Sequence, residues 1–199
     1  QFSERFPIEA IHGALKSLGF DAVFPVSAAT PAIAAANRSL LDRSRYPDLP
    51  RPLITSSCPT IIKFIQIRFP TLLDHIVPVI APVELAGRLA REEAERMLSA
   101  EGRVEKDATR IGCFFISPCP GKITEAKAPI GEEGSSIDGV FSMRDIHLPL
   151  LTALGRIARG ENGGKEAAAP SGNITPRNLA AEVAWGRAGG EAEATIPDG

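Results

Sequence analysis

The sequence predicts an α/β fold, because short apolar runs that suit buried strands alternate with longer segments of helical periodicity. Residues Arg110–Ile116 form the strongest of these runs. The run is apolar on both faces, as is typical of a central strand in a parallel sheet covered by helices. The segment Val83–Ser99 places Leu85, Leu89 and Met97 on one side and many charges on the other. This pattern predicts a long amphipathic helix packed on such a sheet.

The N-terminal part of the chain follows the same alternation. Residues Pro7–Leu18 carry apolar side chains at helical spacing, and Gly19 stands where a helix C-terminal cap is expected. Asp21–Val26 is a short apolar run that suits a buried strand. Thr30 is predicted to be the N-cap of a second helix, because Pro31 follows it at the first helical position.

Two more strand and helix pairs are predicted in the first hundred residues. Leu53–Thr55 makes a brief strand, and a loop connects it to an apolar helix, Ile61–Phe69, that ends at Pro70. Ile76–Ile80 is the next strand and precedes the long amphipathic helix. The order of strand, loop and helix is that of a parallel sheet.

The remaining elements come after Arg110–Ile116. Asp138–Phe141 is a short strand, and Ser142 is the predicted N-cap of a helix that runs through Leu154. Residues 160–172 are rich in Gly, Ala, Glu and Lys and are expected to form a flexible connection. Trp185 is the main candidate to anchor the C-terminal residues.

Composition narrows the class of protein. The chain has 199 residues, of which 44% are hydrophobic and 23% charged, and its formal net charge is −2. These values are ordinary for a water-soluble globular protein. Lys and Arg are scattered, so neither nucleic acid nor anionic lipid is an expected partner. No apolar run approaches the roughly 20 residues of a membrane span.

The chain opens without Met or a signal peptide and stops abruptly at Ile196-Pro197-Asp198-Gly199, so we interpret it as a piece of a longer protein. It contains three cysteines, Cys58, Cys113 and Cys119. This small, odd number favours a reducing, cytoplasmic compartment over a secreted disulfide framework. The chain has no Cys-x-x-Cys pair, and its histidines stand far apart, so a metal site would need ligands from distant segments.

Two cysteine loops are the most informative feature. Thr55–Pro59 and Ser117–Lys122 each follow an apolar run and lead towards a helix, where free N–H groups and the helix dipole favour anionic ligands. A thiolate on such a turn suits metal binding. Cys113 lies about 20 Å from Cys119 along an extended strand, too far for one mononuclear metal, and is expected in the core. For Lys122, the residue pattern alone favours a solvated helix position, with Glu125 as its i,i+3 partner.

The loops and their flanking elements together resemble the catalytic domain of iron-iron hydrogenases. The resemblance rests on Thr-Ser-Ser-Cys58-Pro, on the apolar helix that ends at Phe69-Pro70, on Ala81-Pro82 before the long helix, and on Ser-Pro-Cys119-Pro-Gly-Lys122-x-x-Glu125. It covers most of residues 1–155. It implies two lobes of mainly parallel twisted sheet flanked by helices, with the active-site cluster in the cleft between them.

The resemblance also implies roles for individual residues. In this family the hydrogen cluster is a 4Fe-4S cubane joined through a cysteine thiolate to a two-iron unit that carries cyanide and carbon monoxide. Cys58 and Cys119 match two of the four cubane cysteines. Lys122 matches the lysine that donates a hydrogen bond to a cyanide of the two-iron unit. Glu125 matches the glutamate whose carboxylate orients this lysine. Thiolates and an ammonium suit such ligands.

Several departures from the family pattern matter. Ser57 replaces the cysteine that passes a proton to the two-iron unit, and a hydroxyl is a poorer acid-base group near neutral pH. Ser117 replaces a methionine of the second motif. No cysteine follows Cys119, although a third motif should supply two more cubane ligands. Trp185–Gly190 resembles the segment before that motif. The chain by itself is therefore expected to be inactive and unable to complete the cluster.

The resemblance sets the expected organisation and partners. Residues 1–100 form a first lobe, 101–155 part of a second lobe, and 156–199 a Gly/Ala-rich connection and tail. Variants with serine at the relay position resemble the branch proposed to sense hydrogen, so the longer protein is expected to convert hydrogen slowly or to report it. Ferredoxin-like electron-transfer or signalling domains are the partners implied.

Two other classes of function remain open. One is a metal-free structural or interaction module that uses the α/β scaffold. The other is a nucleotide-binding enzyme, which is disfavoured because neither G-x-G-x-x-G nor G-x-x-x-x-G-K-[ST] follows any predicted strand. If the hydrogenase interpretation is right, Cys58 and Cys119 face one cleft, with their sulfurs no more than about 12 Å apart.

Overall fold

A computed structural model describes residues 6–100, 111–127 and 134–160. This part of the chain has a mixed α/β fold with two short parallel strands. The α-helices and strands of these residues are α1 (Ile8–Ser17), α2 (Thr30–Leu40), α3 (Pro59–Arg68), α4 (Pro82–Ala100), β1 (Phe114–Ser117), α5 (Pro120–Lys127), β2 (Gly139–Ser142) and α6 (Met143–Ala158). The predicted α/β class is confirmed.

The first helix forms as predicted. Helix α1 ends where Gly19 adopts a φ of 106°, a left-handed conformation that glycine reaches without a Cβ penalty. The Gly19 N–H donates to the Lys16 carbonyl at 3.0 Å, which satisfies one of the last carbonyls of the helix. Ala14 and Leu15 are buried against Leu150 and Leu154 of α6.

The predicted strand at Asp21–Val26 is wrong. The chain is irregular here, and it then forms a 3-10 helix, Val26–Ala29, that leads directly into α2 and packs on α4. Pro25 has no N–H to donate to a ladder, which disfavours pairing in this run. Thr30 already has helical dihedrals and caps nothing with its side chain, so its predicted N-cap role is also wrong.

The two predicted strands around residues 54 and 76 are reduced to one parallel bridge. Ile54 pairs with Ile76, and the Val77 N–H donates to the Ile54 carbonyl at 2.8 Å. Pro78 comes next and has no N–H, so the ladder cannot continue on that side. The parallel direction agrees with the prediction, but the predicted strand lengths Leu53–Thr55 and Ile76–Ile80 are wrong.

Strands β1 and β2 pair in parallel, with Phe114 opposite Gly139 and Ser117 opposite Ser142. The strand predicted over Arg110–Ile116 is shorter and shifted towards the C-terminus. Phe114 is 49% exposed, so this strand is not buried on both faces. Arg110 lies outside the described residues.

The last described helix confirms its predicted cap. The Ser142 hydroxyl accepts a hydrogen bond from the Asp145 N–H at 3.2 Å. Helix α6 continues to Ala158, four residues beyond the predicted end at Leu154. The predicted connection at 160–172 and the predicted anchor Trp185 lie outside the described residues, except for Gly160.

In the described part of the chain, two hydrophobic clusters form the core. One joins α2, α4 and the segment around Val77 and Val79, and the other joins α1 to α6. On α4, Leu85 and Leu89 are buried as predicted, whereas Met97 is 38% exposed, so its predicted inward position is wrong. The predicted division into lobes at residue 100 stays a prediction. Among the described residues, no helix combines the length and apolarity needed to cross a bilayer.

Candidate functional site

Cys58 stands at the start of α3. It occupies the N-cap position, with extended dihedrals (φ −112°, ψ 104°), and Pro59 is the first helical residue. The Cys58 carbonyl accepts from the Ile62 N–H at 3.1 Å, which begins the helical hydrogen bonds. The thiol group belongs to an exposed residue. A cysteine exposed at a helix start can offer its sulfur as a metal ligand.

Cys119 occupies the equivalent position before α5. It follows the end of β1 by two residues and directly precedes Pro120, the first residue of the helix. Its N–H donates to the Ser117 hydroxyl at 3.1 Å, and its carbonyl accepts from the Lys122 N–H at 3.2 Å. Ser117 is only 2% exposed, so this turn is held from inside the protein.

The two cysteine loops meet where α3 contacts α5. A Cβ built on Gly121 would overlap the Thr60 hydroxyl and lie 3.7 Å from the Cys119 sulfur. Thr60 follows Cys58 by two residues. Gly121 therefore permits a close approach of the helix starts that carry the two cysteines. The separation of the two sulfurs themselves stays a prediction.

Lys122, the last residue of the second cysteine loop, contacts the first loop. Its ammonium donates to the Ser57 carbonyl at 3.0 Å and to Glu125 Oε2 at 2.7 Å. The side chains of Lys122 and Glu125 are 16% and 5% exposed. The expected i,i+3 pair is thus present, but the solvated position expected for Lys122 is wrong. We call Ser57, Lys122 and Glu125 the lysine junction.

Ser57 contributes to this junction through its backbone. The resemblance singled out its hydroxyl, whereas the contact with Lys122 uses its carbonyl oxygen. The preceding residue, Ser56, donates its hydroxyl to the Val79 carbonyl. Both serines therefore tie the first cysteine loop to segments distant in sequence.

Sequence reasoning missed several of these supporting contacts. The turn formed by Ser117 had a local signal, because Ser followed by Pro and Cys is a pattern in which a hydroxyl bonds the N–H two residues on. The contacts of Ser56 with Val79 and of Gly121 with Thr60 join segments far apart in the chain. No local pattern could have indicated them.

Cys113 lies before β1, at the opposite end of the strand from Cys119. It is half-buried rather than a fully buried core residue as predicted. Its N–H donates to Asp138 Oδ2 at 2.6 Å, and its carbonyl accepts from the Asp138 N–H at 2.8 Å. Burial raises the pKa of the Cys113 thiol. The positive charge of Arg91 lowers this pKa, and the negative charges of Asp138 and Glu84 raise it.

An arginine holds this end of the strands. Arg91 donates to the Ile111 carbonyl at 2.6 Å, to the Ser136 carbonyl at 3.1 Å and to Asp138 Oδ2 at 2.5 Å. We call Arg91, Asp138 and these two backbone carbonyls the arginine clamp. It joins α4 to the segments that lead into β1 and β2.

A buried carboxylate extends the same connection. Glu84, which is 3% exposed, accepts from the Ser135 hydroxyl and the Ser136 N–H, both at 2.6 Å. Gly87 lets α4 approach closely, since a Cβ there would lie 2.8 Å from Ile137 Cδ1 and 3.0 Å from Ser136 Cβ. One face of α4 thereby fixes residues 135–138.

The described residues offer part of a donor set for an iron-sulfur cluster. They include no group of three or more His, Cys, Asp or Glu residues that could hold a metal ion. They do place two cysteines on neighbouring helix starts, and thiolates are the ligands such clusters prefer. A cavity of about 580 Å³ lies elsewhere, between residues 45–50 and 71–75. The described residues could therefore supply two of the four cysteine ligands of a cubane. These two cysteines lie near the lysine junction and not in that cavity.

Solved structures of FeFe-hydrogenases share this fold. A variant of FeFe-hydrogenase HydA1 from Chlamydomonas reinhardtii aligns with a TM-score of 0.56 and 24% sequence identity, covering 83% of this chain and 41% of that chain. A HydA structure described as revealing stepwise H-cluster assembly aligns with a TM-score of 0.55 and 23% sequence identity, covering 83% of this chain and 40% of that chain. An apo variant of HydA1 from Chlamydomonas reinhardtii aligns with a TM-score of 0.54 and 23% sequence identity, covering 82% of this chain and 40% of that chain.

These likenesses establish the fold, and this chain spans about two fifths of the length of those hydrogenases. No curated protein matches the chain. Residues 1–196 match the family described as iron only hydrogenase large subunit, C-terminal domain. Because the match covers nearly all of the sequence, the chain belongs to the C-terminal domain family of the iron-only hydrogenase large subunit.

Proposed function

We propose that this chain is part of a domain that binds a hydrogen cluster, and that Cys58 and Cys119 supply two thiolates of its 4Fe-4S cubane. The observation that carries the proposal is the meeting of the two cysteine loops at the lysine junction. Each cysteine stands directly before the first residue of a helix, and a glycine allows the two helix starts to approach. Soft ligands that share one junction suit an iron-sulfur cluster.

Lys122 is the residue we propose for the two-iron unit. Its ammonium is largely buried, and Glu125 and the Ser57 carbonyl fix its direction. A positive charge that is held in place with little exposure stabilises an anionic ligand more than a solvated lysine does. If bound, the cluster would supply an iron site for hydrogen, and it would accept electrons in hydrogen oxidation or donate them in proton reduction.

Ser57 favours slow conversion or sensing of hydrogen over fast turnover. A serine hydroxyl is a far weaker acid than the thiol that the family pattern carries here, so it is a poorer proton relay near neutral pH. A cluster that can bind hydrogen but turns over slowly suits a sensor. Ferredoxin-like electron-transfer or signalling domains are the partners we propose, in a reducing compartment such as the cytoplasm.

Cluster binding can be tested on the polypeptide that joins this chain to the remaining part of the domain. The protein is reconstituted anaerobically with iron and sulfide, and bound iron and iron-sulfur absorption are measured. We expect both signals to fall strongly in C58A and C119A and to persist in C113A, the matched control. If the unaltered protein shows no iron-sulfur absorption, a metal-free structural or interaction module explains the chain better.

The relay substitution can be tested separately. S57C restores a thiol at the proposed relay position without altering Cys58, Cys119 or Lys122. We expect a several-fold increase in hydrogen turnover with unchanged iron content. An unchanged rate in cluster-loaded S57C would contradict the assignment of Ser57 as the limiting feature.

A further inference from the structure

Ser117 is a buried polar residue whose hydrogen-bonding capacity is only partly used. It is the last residue of β1 and is 2% exposed. Its hydroxyl accepts a hydrogen bond from the Cys119 N–H at 3.1 Å. A hydroxyl also carries one hydrogen that it can donate. Among the described residues, no acceptor receives this hydrogen, and a buried donor without a partner costs free energy.

The serine on the neighbouring strand uses its hydroxyl fully. Ser142 stands opposite Ser117 in the register of β1 and β2. Its hydroxyl accepts from the Asp145 N–H at 3.2 Å and donates to Asp145 Oδ2 at 2.6 Å. The cap of α6 therefore accounts for both the donor and the acceptor of Ser142. The turn before α5 accounts only for the acceptor of Ser117.

The unused donor of Ser117 lies beside Cys119 and not in the apolar core. Ile116 packs on the cluster that joins α1 to α6. Successive side chains of a strand point to opposite faces, so Ser117 points away from that cluster. Its oxygen is bonded to the backbone of Cys119, the residue we propose as a cubane ligand.

A donor in this position suits a sulfur acceptor. Hydrogen bonds to the sulfurs of an iron-sulfur cluster help to set its reduction potential. The hydrogen bond that the Ser117 oxygen accepts polarises the O–H group and so strengthens it as a donor. Because the residue is buried, bulk water does not compete for this hydrogen.

We propose that Ser117 is a positioning residue of the cluster site: its oxygen holds the Cys119 backbone, and its hydrogen is donated to a sulfur of the bound cubane. The inference rests on the proposed function, since it requires a cluster at Cys119. A hydrogen bond of this kind stabilises the reduced, more negative cluster and therefore raises its reduction potential.

The reduction potential of the reconstituted cluster tests this role. The polypeptide that joins this chain to the remaining part of the domain is loaded anaerobically with iron and sulfide, and its midpoint potential is measured by a redox titration followed by EPR. We expect S117A to bind as much iron as the unaltered protein. Its one-electron reduction equilibrium should shift roughly three- to tenfold towards the oxidised state, a fall of about 30–60 mV.

Two further variants serve as controls. S117T retains a hydroxyl at this position and should keep the potential of the unaltered protein. S142A removes the hydroxyl of the paired residue on β2, where both hydrogen bonds belong to the cap of α6, and should also leave the potential unchanged.

Equal potentials in S117A and the unaltered protein overturn the inference, and so does an equal fall in S117T or S142A. These results would leave the assignment of Cys58 and Cys119 intact, whereas a lack of iron-sulfur absorption in the unaltered protein overturns both proposals. If S117A binds no iron, urea denaturation of the cluster-free variants decides. S117A that is as stable as S142A then supports a role towards the cluster, and S117A that is markedly less stable shows that the hydroxyl only holds the fold.

Discussion

The lysine junction and the arginine clamp hold opposite ends of β1 by different means. At the junction, one ammonium meets a carboxylate and a single carbonyl, and both ionic side chains are largely buried. At the clamp, the guanidinium bonds two carbonyls and a carboxylate, and Arg91 and Asp138 are 29% and 47% exposed. The clamp bonds backbone carbonyls of two separate segments, whereas the junction keeps a charge beside the cysteines.

This difference indicates that the arginine clamp and the lysine junction have different roles. A buried ion pair contributes little net stability, because desolvation offsets most of its attraction, yet removal of one partner is costly. Hydrogen bonds from a guanidinium to backbone carbonyls stabilise the folded state more simply. We therefore expect the clamp to serve the fold, and the junction to place a positive charge at the candidate site.

The largest expected effect is that of K122M. The substitution leaves the Glu125 carboxylate buried without its cation, and should lower the free energy of unfolding by about 3 kcal/mol. K122M/E125L removes both charges and should recover most of this loss. Urea denaturation measures both variants. If the double variant is as unstable as K122M, the ion pair itself stabilises the fold. That result would contradict the contrast drawn between the lysine junction and the arginine clamp.

R91A should have the next largest effect. It removes hydrogen bonds to Ile111, Ser136 and Asp138 at once, and since the site is partly exposed we expect a loss of about 2 kcal/mol. R91K keeps the charge but cannot reproduce the fork of donors, so it should recover less than half of the loss. Thermal or urea unfolding provides the measurement. A loss in R91A below about 0.5 kcal/mol would show that the clamp does not stabilise the fold.

Two glycines allow a smaller, matched test. G87A places a Cβ 3.0 Å from Ser136 Cβ and 3.3 Å from its carbonyl oxygen, and should destabilise by about 1–2 kcal/mol. A Cβ in G121A overlaps only the Thr60 hydroxyl, which can rotate away, while Thr60 Cβ and the Cys119 sulfur stand at an ordinary contact distance of 3.7 Å. G121A should cost less than about 0.5 kcal/mol, since alanine also favours the helix. A greater loss in G121A than in G87A contradicts the rigidity assigned to the clamp.

The smallest effect concerns Cys113. Burial raises the pKa of its thiol, so the folded protein keeps this proton at pH values where the unfolded chain, with a pKa of about 8.5, loses it. The resulting stability is present below that pH and is lost as the pH rises through the folded pKa. C113A should therefore lose less stability than the unaltered chain as the pH rises above about 8.5. Identical pH profiles would contradict this assignment.

Helices were predictable from this sequence because their signals are local. Periodic apolar residues, prolines and Gly19 located α1, α3, α4 and α6 to within a few residues. Strands were predicted less well, because a ladder needs a partner that no local pattern reveals. The predicted strand Asp138–Phe141 is confirmed as β2 to within one residue, whereas the other predicted strands are shifted, reduced to a bridge or missing. The apolar run Asp21–Val26 has no such partner in the described part of the chain and contains Pro25, so it stays irregular.

In the candidate site, too, local features were predictable from the sequence and long-range contacts were not. The placement of Cys58 and Cys119 before helices, and the pairing of Lys122 with Glu125, depend on neighbouring residues and were predictable. The contact of Lys122 with Ser57, across 65 positions of sequence, was not. This contact changes Lys122 from a solvated residue into a held charge.

The proximity of the two cysteine sulfurs tests a shared cluster site most directly. In a C113S background, which leaves only Cys58 and Cys119, the reduced protein is treated with a bismaleimide that spans about 10 Å, within the separation that converging thiolate ligands require. Intramolecular crosslinking is measured by mass spectrometry of the digested monomer. We predict near-complete crosslinking of Cys58 to Cys119 in the folded protein. Separate modification of the two cysteines, with no crosslink, would contradict a shared cluster site.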